Sequence, residues 1–370
     1  MSARGAACHA GIVSSASTSQ HHIDPVELSR ALAISREAAE LYLASDVIDL
    51  HIDSFIWTRI FGYDLTRRHG HGLFGARFYS QVDLPRIREA RIGGALWSIT
   101  TNPLRSAGGR ARAFAHNVQR LEQALATVPD DVMLVRDLAG YRAARVAGRH
   151  AAFVAIQGGN ALDQDGALDV LADGKVIAVT VMHLSSSSLG RTSSPMGSGA
   201  RGLTARGRAY VEQLNAMRVF VDLAHVSREG FFDALAVHDR TQPVIVTHTG
   251  VRAVHDVWRN LDDEQLRAVA DLGGVTGVIF HGGYLNGSYV GGGSANAIVD
   301  HIEHIVKTVG DEFVSLGSDW DGLIATPRDM PTCLELPRLV QRMLERGLSP
   351  ESIQRVLGGN FLRALQQLRG

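Results

Sequence analysis

The stretch "DVIDLHID", residues 46–53, carries an apolar run into a His-x-Asp pair, and its reading decides the fold. Val47, Ile48 and Leu50 suit a short buried strand. On a strand, side chains two apart share a face, so His51 and Asp53 point the same way from its end. Seven more runs of this kind follow: "GALWSI" (94–99), "AFVAI" (152–156), "VIAVTV" (176–181), "VFVDL" (219–223), "PVIVT" (243–247), "GVTGVIF" (274–280) and "FVSLG" (313–317). Continuous apolar runs suit parallel strands covered on both faces. Helical patterns such as "LTARGRAYVEQLNAM" and "LDDEQLRAVADLG" lie between most of them. Eight strands alternating with helices predict an α/β fold, a (β/α)8 TIM barrel, over an open doubly wound sheet. No Gly-rich fingerprint follows the first run, which argues against a dinucleotide fold.

Composition sets the remaining bounds. The chain has 370 residues, 45% hydrophobic and 20% charged, as in a globular protein able to bury a core. A formal charge of −1 gives no electrostatic case for nucleic acid or an acidic membrane surface. Cys8 and Cys333 are too few for a disulfide framework or a thiolate cage. Residues 1–22 lack the apolar core of a signal peptide and read as a disordered tail, with 23–370 as a single barrel domain. A cytoplasmic location is the simplest expectation. Helix boundaries agree with this parse. "DPVE" (24–27) offers an Asp cap followed by Pro, and Ser349-Pro350 repeats the device, with Gly358 or Gly359 expected to stop that helix.

Two long loops stand out, 58–81 after the first strand and the Ser/Gly-rich 185–202 after the fourth. In a barrel both lie on the C-terminal face, where active sites sit, as substrate walls or lids. The strand ends themselves are polar. His51 and Asp53 are joined by His183, His225, His248 and Asp319, each just past an apolar run. One such histidine is ordinarily a hydrogen-bonded structural residue. Five strand ends aimed at one rim point to a site for Zn²⁺ or a similar divalent ion. "HGH" (69–71) sits in a loop and reads as structural; His301 and His304 in "DHIEH" read as a solvated or partly packed helix face.

From about Leu41 to Leu365 the chain resembles the renal, or membrane, dipeptidases, zinc peptidases on a barrel of the metal-dependent amidohydrolase type. The motifs that carry the resemblance include "VIDLHID", "QVDLPRIREARIGGALWSI", "IQGGNALD", "VDLAHVS", "VIVTHTGVRAVHDVWRNLDD", "LGSDWDG" and "LGGNFLRAL". The resemblance implies hydrolysis of a dipeptide or dipeptide-like small molecule, and two zinc ions joined by a glutamate. His51 and Asp53 would hold one ion, His225 and His248 the other. Asp319 would handle the proton of the attacking water, His183 would stabilise the oxyanion, and Arg259 would meet the substrate carboxylate or the oxyanion. Asn160, Arg259 and Tyr63 are the candidate substrate contacts, and a homodimer is the assembly that the family allows.

One position departs from the family. Where it writes "EGGH", this chain has Gln157 and, three residues on, Asn160. A neutral amide cannot offset the repulsion of two dications, so one metal site is expected to weaken or vanish, with the His51/Asp53 site retained. Two further readings follow: altered, non-hydrolytic chemistry with less metal on an amino-acid-derived substrate, or a non-catalytic barrel that binds a peptide-like ligand.

Overall fold

The apolar runs become strands because β-branched residues pack well on a sheet buried from both sides. In the computed structural model, which describes residues 23–72, 74–100, 105–199 and 201–370, nine parallel strands form. They are β1 (Ile48–Ile52), β2 (Gly94–Thr100), β3 (Val132–Leu134), β4 (His150–Gln157), β5 (Val176–Thr180), β6 (Phe220–Asp222), β7 (Ile245–Thr249), β8 (Val275–Val278) and β9 (Val314–Leu316). The tail 1–22, and Cys8 with it, lies outside the described residues; Cys333 is a buried free thiol.

Eight of the strands close a barrel. β2 pairs with β4 from Gly94–Ala151 to Thr100–Gln157, and β9 returns to β1 through Asp49–Leu316. The expected (β/α)8 barrel is therefore present, with one addition. β3 pairs with residues 150–152 of β4, while β5 takes the same edge from Val154 onward. Three residues, of which only Val132 is buried, leave no apolar run to read in the sequence.

Ile48, Leu96, Phe153, Phe220 and Ile245 meet Phe361 and Leu365 of the C-terminal helix in one apolar cluster toward the strands' N-terminal ends. Polar residues are left to the opposite end, the division between stability and chemistry that barrels show. The helix begun at Pro350 does not stop at Gly358 or Gly359, as the sequence led us to expect. It passes through a π turn, Arg355–Gly359, into Asn360–Arg369. Gly358 serves close approach instead: a Cβ there would lie 2.4 Å from the carbonyl oxygen of Asp46, just before β1. The cap expected at Asp24 forms, accepting from the Val26 N–H at 2.8 Å. Among the described residues no helix is long and apolar enough to cross a membrane.

Candidate metal centre

His51 of β1, His248 of β7 and Asp319 beyond β9 each bring one donor atom within 4.8 Å of the others, all three buried. The His51 and His248 rings stack with centroids 3.9 Å apart. His51 Nε2 is 3.6 Å from Asp53 Oδ1 and 3.8 Å from Asp319 Oδ1. His225 Nε2 lies 2.9 Å from His248 Nε2, and the His183 ring meets His225 edge-on at 4.8 Å. The sequence reading divided these donors into two pairs. The structure instead makes His248 common to both: it faces His225 on one side and His51 with Asp319 on the other. Gln157 ends β4, in register with Thr100 and Thr180, and is buried.

Unusual backbone holds two of these residues. His225 (φ 64°) and Asp319 (φ 63°) adopt the left-handed conformation, a strain that persists only where surroundings enforce it. The His225 carbonyl accepts from Ser193 N–H at 2.7 Å and from the Thr192 hydroxyl at 3.0 Å. The Ser/Gly-rich loop is thus tied to a histidine of the cluster, with further bridges Thr192–Val226 and Gly190–Leu203. Asp319 N–H donates to the His51 carbonyl at 3.1 Å.

His248 has its orientation set from behind. Thr247 Oγ1 donates to Asp222 Oδ2 at 2.7 Å, which leaves it to accept from His248 Nδ1–H at 2.9 Å. The lone pair of His248 is then on Nε2, facing the cluster, an arrangement that supports metal ligation from outside the ligand shell. Asp222 also accepts from Thr180 Oγ1, Thr247 N–H and Ala224 N–H. Asp222 was missed in the sequence reading, although a carboxylate inside the apolar run "VFVDL" was its signal.

The site has unanswered polar atoms. Both ring nitrogens of His51, Asp53 Oδ1, Gln157 Oε1, His225 Nδ1 and Arg259 Nε are buried without a hydrogen-bond partner. Each would cost about 1–3 kcal/mol if left so, and their concentration in one place fits a bound cation and substrate. Burial, with cationic neighbours adding, pushes His225 and His248 well below the usual imidazole range, and burial takes His183 down to about 4. Neutral imidazole is the ligating form. Burial pulls on His51 too, but Asp53 and Asp319 outweigh it and the net shift is upward. Burial raises the Asp319 carboxyl well above the carboxylate range, with His51 opposing and Asp53 assisting. Imidazoles and carboxylates together make a donor set that fits a divalent metal.

Arg259 is buried against the cluster and donates to the His248 carbonyl at 2.6 Å. Asn160 is half-buried just past β4, its carbonyl accepting from Arg110 Nε at 2.7 Å. Tyr63 has other work. Its hydroxyl donates to the Val82 carbonyl at 3.0 Å and accepts from Arg86 at 3.3 Å, and its ring stacks on His69. That network pins the loop after β1 and engages the hydroxyl within the protein. His69 is structural, as expected. Of the two readings of His301, the packed one holds: it is buried, accepting from Val251 N–H at 2.8 Å and donating to the Leu285 carbonyl at 3.0 Å. Arg59 was not anticipated; it donates to Thr100 Oγ1 at 2.6 Å, and burial lowers its guanidinium while the charge of Asp53 opposes that shift.

Residues 35–369 match the family model for membrane dipeptidases, peptidase family M19. The chain belongs to the membrane dipeptidase family. The chain is also similar to individual proteins. An uncharacterized protein in the pqqA 5' region of Klebsiella pneumoniae is 35% identical over 169 residues, 45% of this chain and 61% of its own length. The dipeptidase aclJ of Aspergillus oryzae is 27% identical over 335 residues, 86% of this chain and 76% of that one. A metallopeptidase from Rhodobacter sphaeroides, solved with a phosphinate mimic of the dipeptide L-Ala-D-Ala, superposes with a TM-score of 0.76. It is 20% identical over 88% of this chain and 99% of its own, a likeness of fold. As members of the membrane dipeptidase family, this chain and its barrel mouth fall within a group of metal-dependent peptidases.

Proposed function

We propose that this chain is a metal-dependent hydrolase that cleaves the amide bond of a dipeptide or dipeptide-like small molecule. The observation that carries the proposal is the convergence of His51, His248 and Asp319, with unpartnered buried donors around them, at the mouth of a membrane dipeptidase barrel. His51, Asp53, His225 and His248 would hold the metal, and zinc is the ion their chemistry favours. The bound ion would polarise the scissile carbonyl and make water a nucleophile near neutral pH.

The chain's own groups supply the rest. Asp319, 3.8 Å from His51 at the cluster, takes as a carboxylate the proton of the attacking water and returns it to the leaving amine. His183, neutral at working pH and edge-on to His225, donates a hydrogen bond to the oxygen that becomes negative. Arg259, whose Nε has no partner, meets the substrate carboxylate. Gln157 supplies one neutral oxygen where the family has a carboxylate, so the site is strong for one ion and weak for a second.

Hydrolysis of alanyl dipeptides by the zinc-loaded protein, its loss with a chelator, and its fall by about 10²–10⁴-fold in Asp319→Asn test the reading. Metal-loaded protein that cleaves no dipeptide would refute it. Gln157 specifically favours a second reading, in which a single metal serves altered chemistry on an amino-acid-derived substrate; ordinary dipeptide turnover would dispose of it.

A further inference from the structure

Beside His225 and Arg259 lie two cavities that share part of their lining. The inner one, about 50 Å³, is lined by His225, Arg259, Ser193 and Trp258. The outer one, about 320 Å³, shares Ser193, Arg228 and Trp258 with it and adds Arg191 and Arg201. Because the inner cavity contains Arg259, it is where the carboxyl-terminal residue of a dipeptide would sit. The outer cavity then lies where that residue's side chain would extend.

The charge of the outer cavity is specific. Arg228 is answered by Asp262 and Glu264. Arg191 and Arg201 form no ion pair with any described residue. The carboxylate in the wall, Glu229, lies in the first turn of the helix Arg228–Val237, where the helix N-terminus already faces it with positive partial charge. Two guanidinium groups therefore remain without an anion. Ser193 is an independent sign of a missing ligand: the residue lines both cavities, and its hydroxyl is buried with no hydrogen-bond partner.

We infer that Arg191, Arg201 and Ser193 form a subsite for an anionic side chain, so that the preferred substrates are dipeptides whose carboxyl-terminal residue is acidic. The inference rests on the proposed hydrolase reading and names its substrate class. Arg259 takes the main-chain carboxylate, the outer pair of arginines takes the second one, and Ser193 donates to it. Guanidinium suits this role through its fork of N–H donors, which match a carboxylate in pairs.

The experiment compares alanyl-glutamate, alanyl-alanine and alanyl-lysine, by kcat/KM in zinc-loaded protein and by calorimetric binding in the same preparations. Alanyl-glutamate should exceed the other two by about tenfold or more, as partly exposed charge-assisted contacts allow. The preference should shrink at high salt. The double variant Arg191→Ala/Arg201→Ala should lose most of the preference. Arg206→Ala, whose side chain pairs with exposed Asp165 outside the cavity, should keep it. Equal use of the three dipeptides, or a preference that survives the double variant, overturns the inference and leaves the hydrolase reading intact. If no dipeptide is cleaved, the hydrolase reading fails, and the binding data still decide the subsite. Tighter binding of alanyl-glutamate, lost in the double variant, supports it; equal binding overturns it.

Discussion

Replacing Gln157 by Glu restores one negative charge at the end of β4, and the geometry sets what that charge is worth. The donor set His51, Asp53, Gln157, His225, His248 and Asp319 includes two carboxylates, so with both ionised it balances one dication. A second ion about 3.5–4 Å from the first meets a repulsion of roughly 17–19 kcal/mol at an effective dielectric of 20. A carboxylate oxygen about 2.1 Å from a dication attracts it by roughly 16 kcal/mol on the same scale. Suppose dehydration and relaxation leave only a sixth of that attraction. The glutamate would then still tighten the second ion by about 2.7 kcal/mol, a hundredfold in affinity. Gln157 is 3% exposed and its Oε1 has no partner, so the near-isosteric replacement breaks no existing contact. We expect elemental analysis to find one zinc per chain in the parent protein after dialysis. The Gln157→Glu variant should hold two, with a second, weaker step in a calorimetric titration. Two tightly held ions in the parent, or an unchanged count in the variant, would refute the electrostatic argument.

Further predictions concern the groups around the donors. Thr247→Val removes the hydroxyl between His248 Nδ1 and Asp222, and metal affinity measured by competition with a chelator should fall about 10–100-fold. Gly317→Ala would place a Cβ 1.8 Å from the Thr247 backbone oxygen, and chemical denaturation should show a loss of about 3 kcal/mol or more. Burial takes His150 down to about 4 while its ring accepts from Trp97 Nε1 at 3.1 Å and donates to the Ile92 carbonyl. The unfolded chain therefore takes up this proton first as pH falls. Stability present above about pH 6.5 should be lost progressively down to pH 4, by about 3 kcal/mol from this residue. His150→Gln should make the fall of urea midpoints over that window shallower; an unchanged slope would show that His150 does not contribute to it.

How much of this was legible in the sequence depends on the range of the signal. Eight of the nine strands were readable because each buried run advertises itself within five to eight residues. β3 was not, since a three-residue strand with one buried side chain has no period to detect. Gly358 was misread as a helix stop because a glycine needed for contact with Asp46 looks the same in sequence as one needed for a left-handed turn. The hydroxyl partners of Tyr63, Val82 and Arg86, were not readable for a similar reason: they lie about twenty residues away.

The sequence by itself determined the strand count of the barrel, the family, and the set of polar residues at the strand ends, because those depend on local pattern and on motifs. Only the tertiary structure decided which donors meet. That His248 joins His51 and Asp319 as well as His225 follows from the closing of the sheet, which brings β7 and β9 to the mouth beside β1. The same closure decided that the Ser/Gly-rich loop grips the His225 carbonyl, and that Asp222 stands behind His248. Distances of this kind are fixed by the barrel's circumference and by hydrogen bonds between segments far apart in the chain, and local sequence carries no record of either.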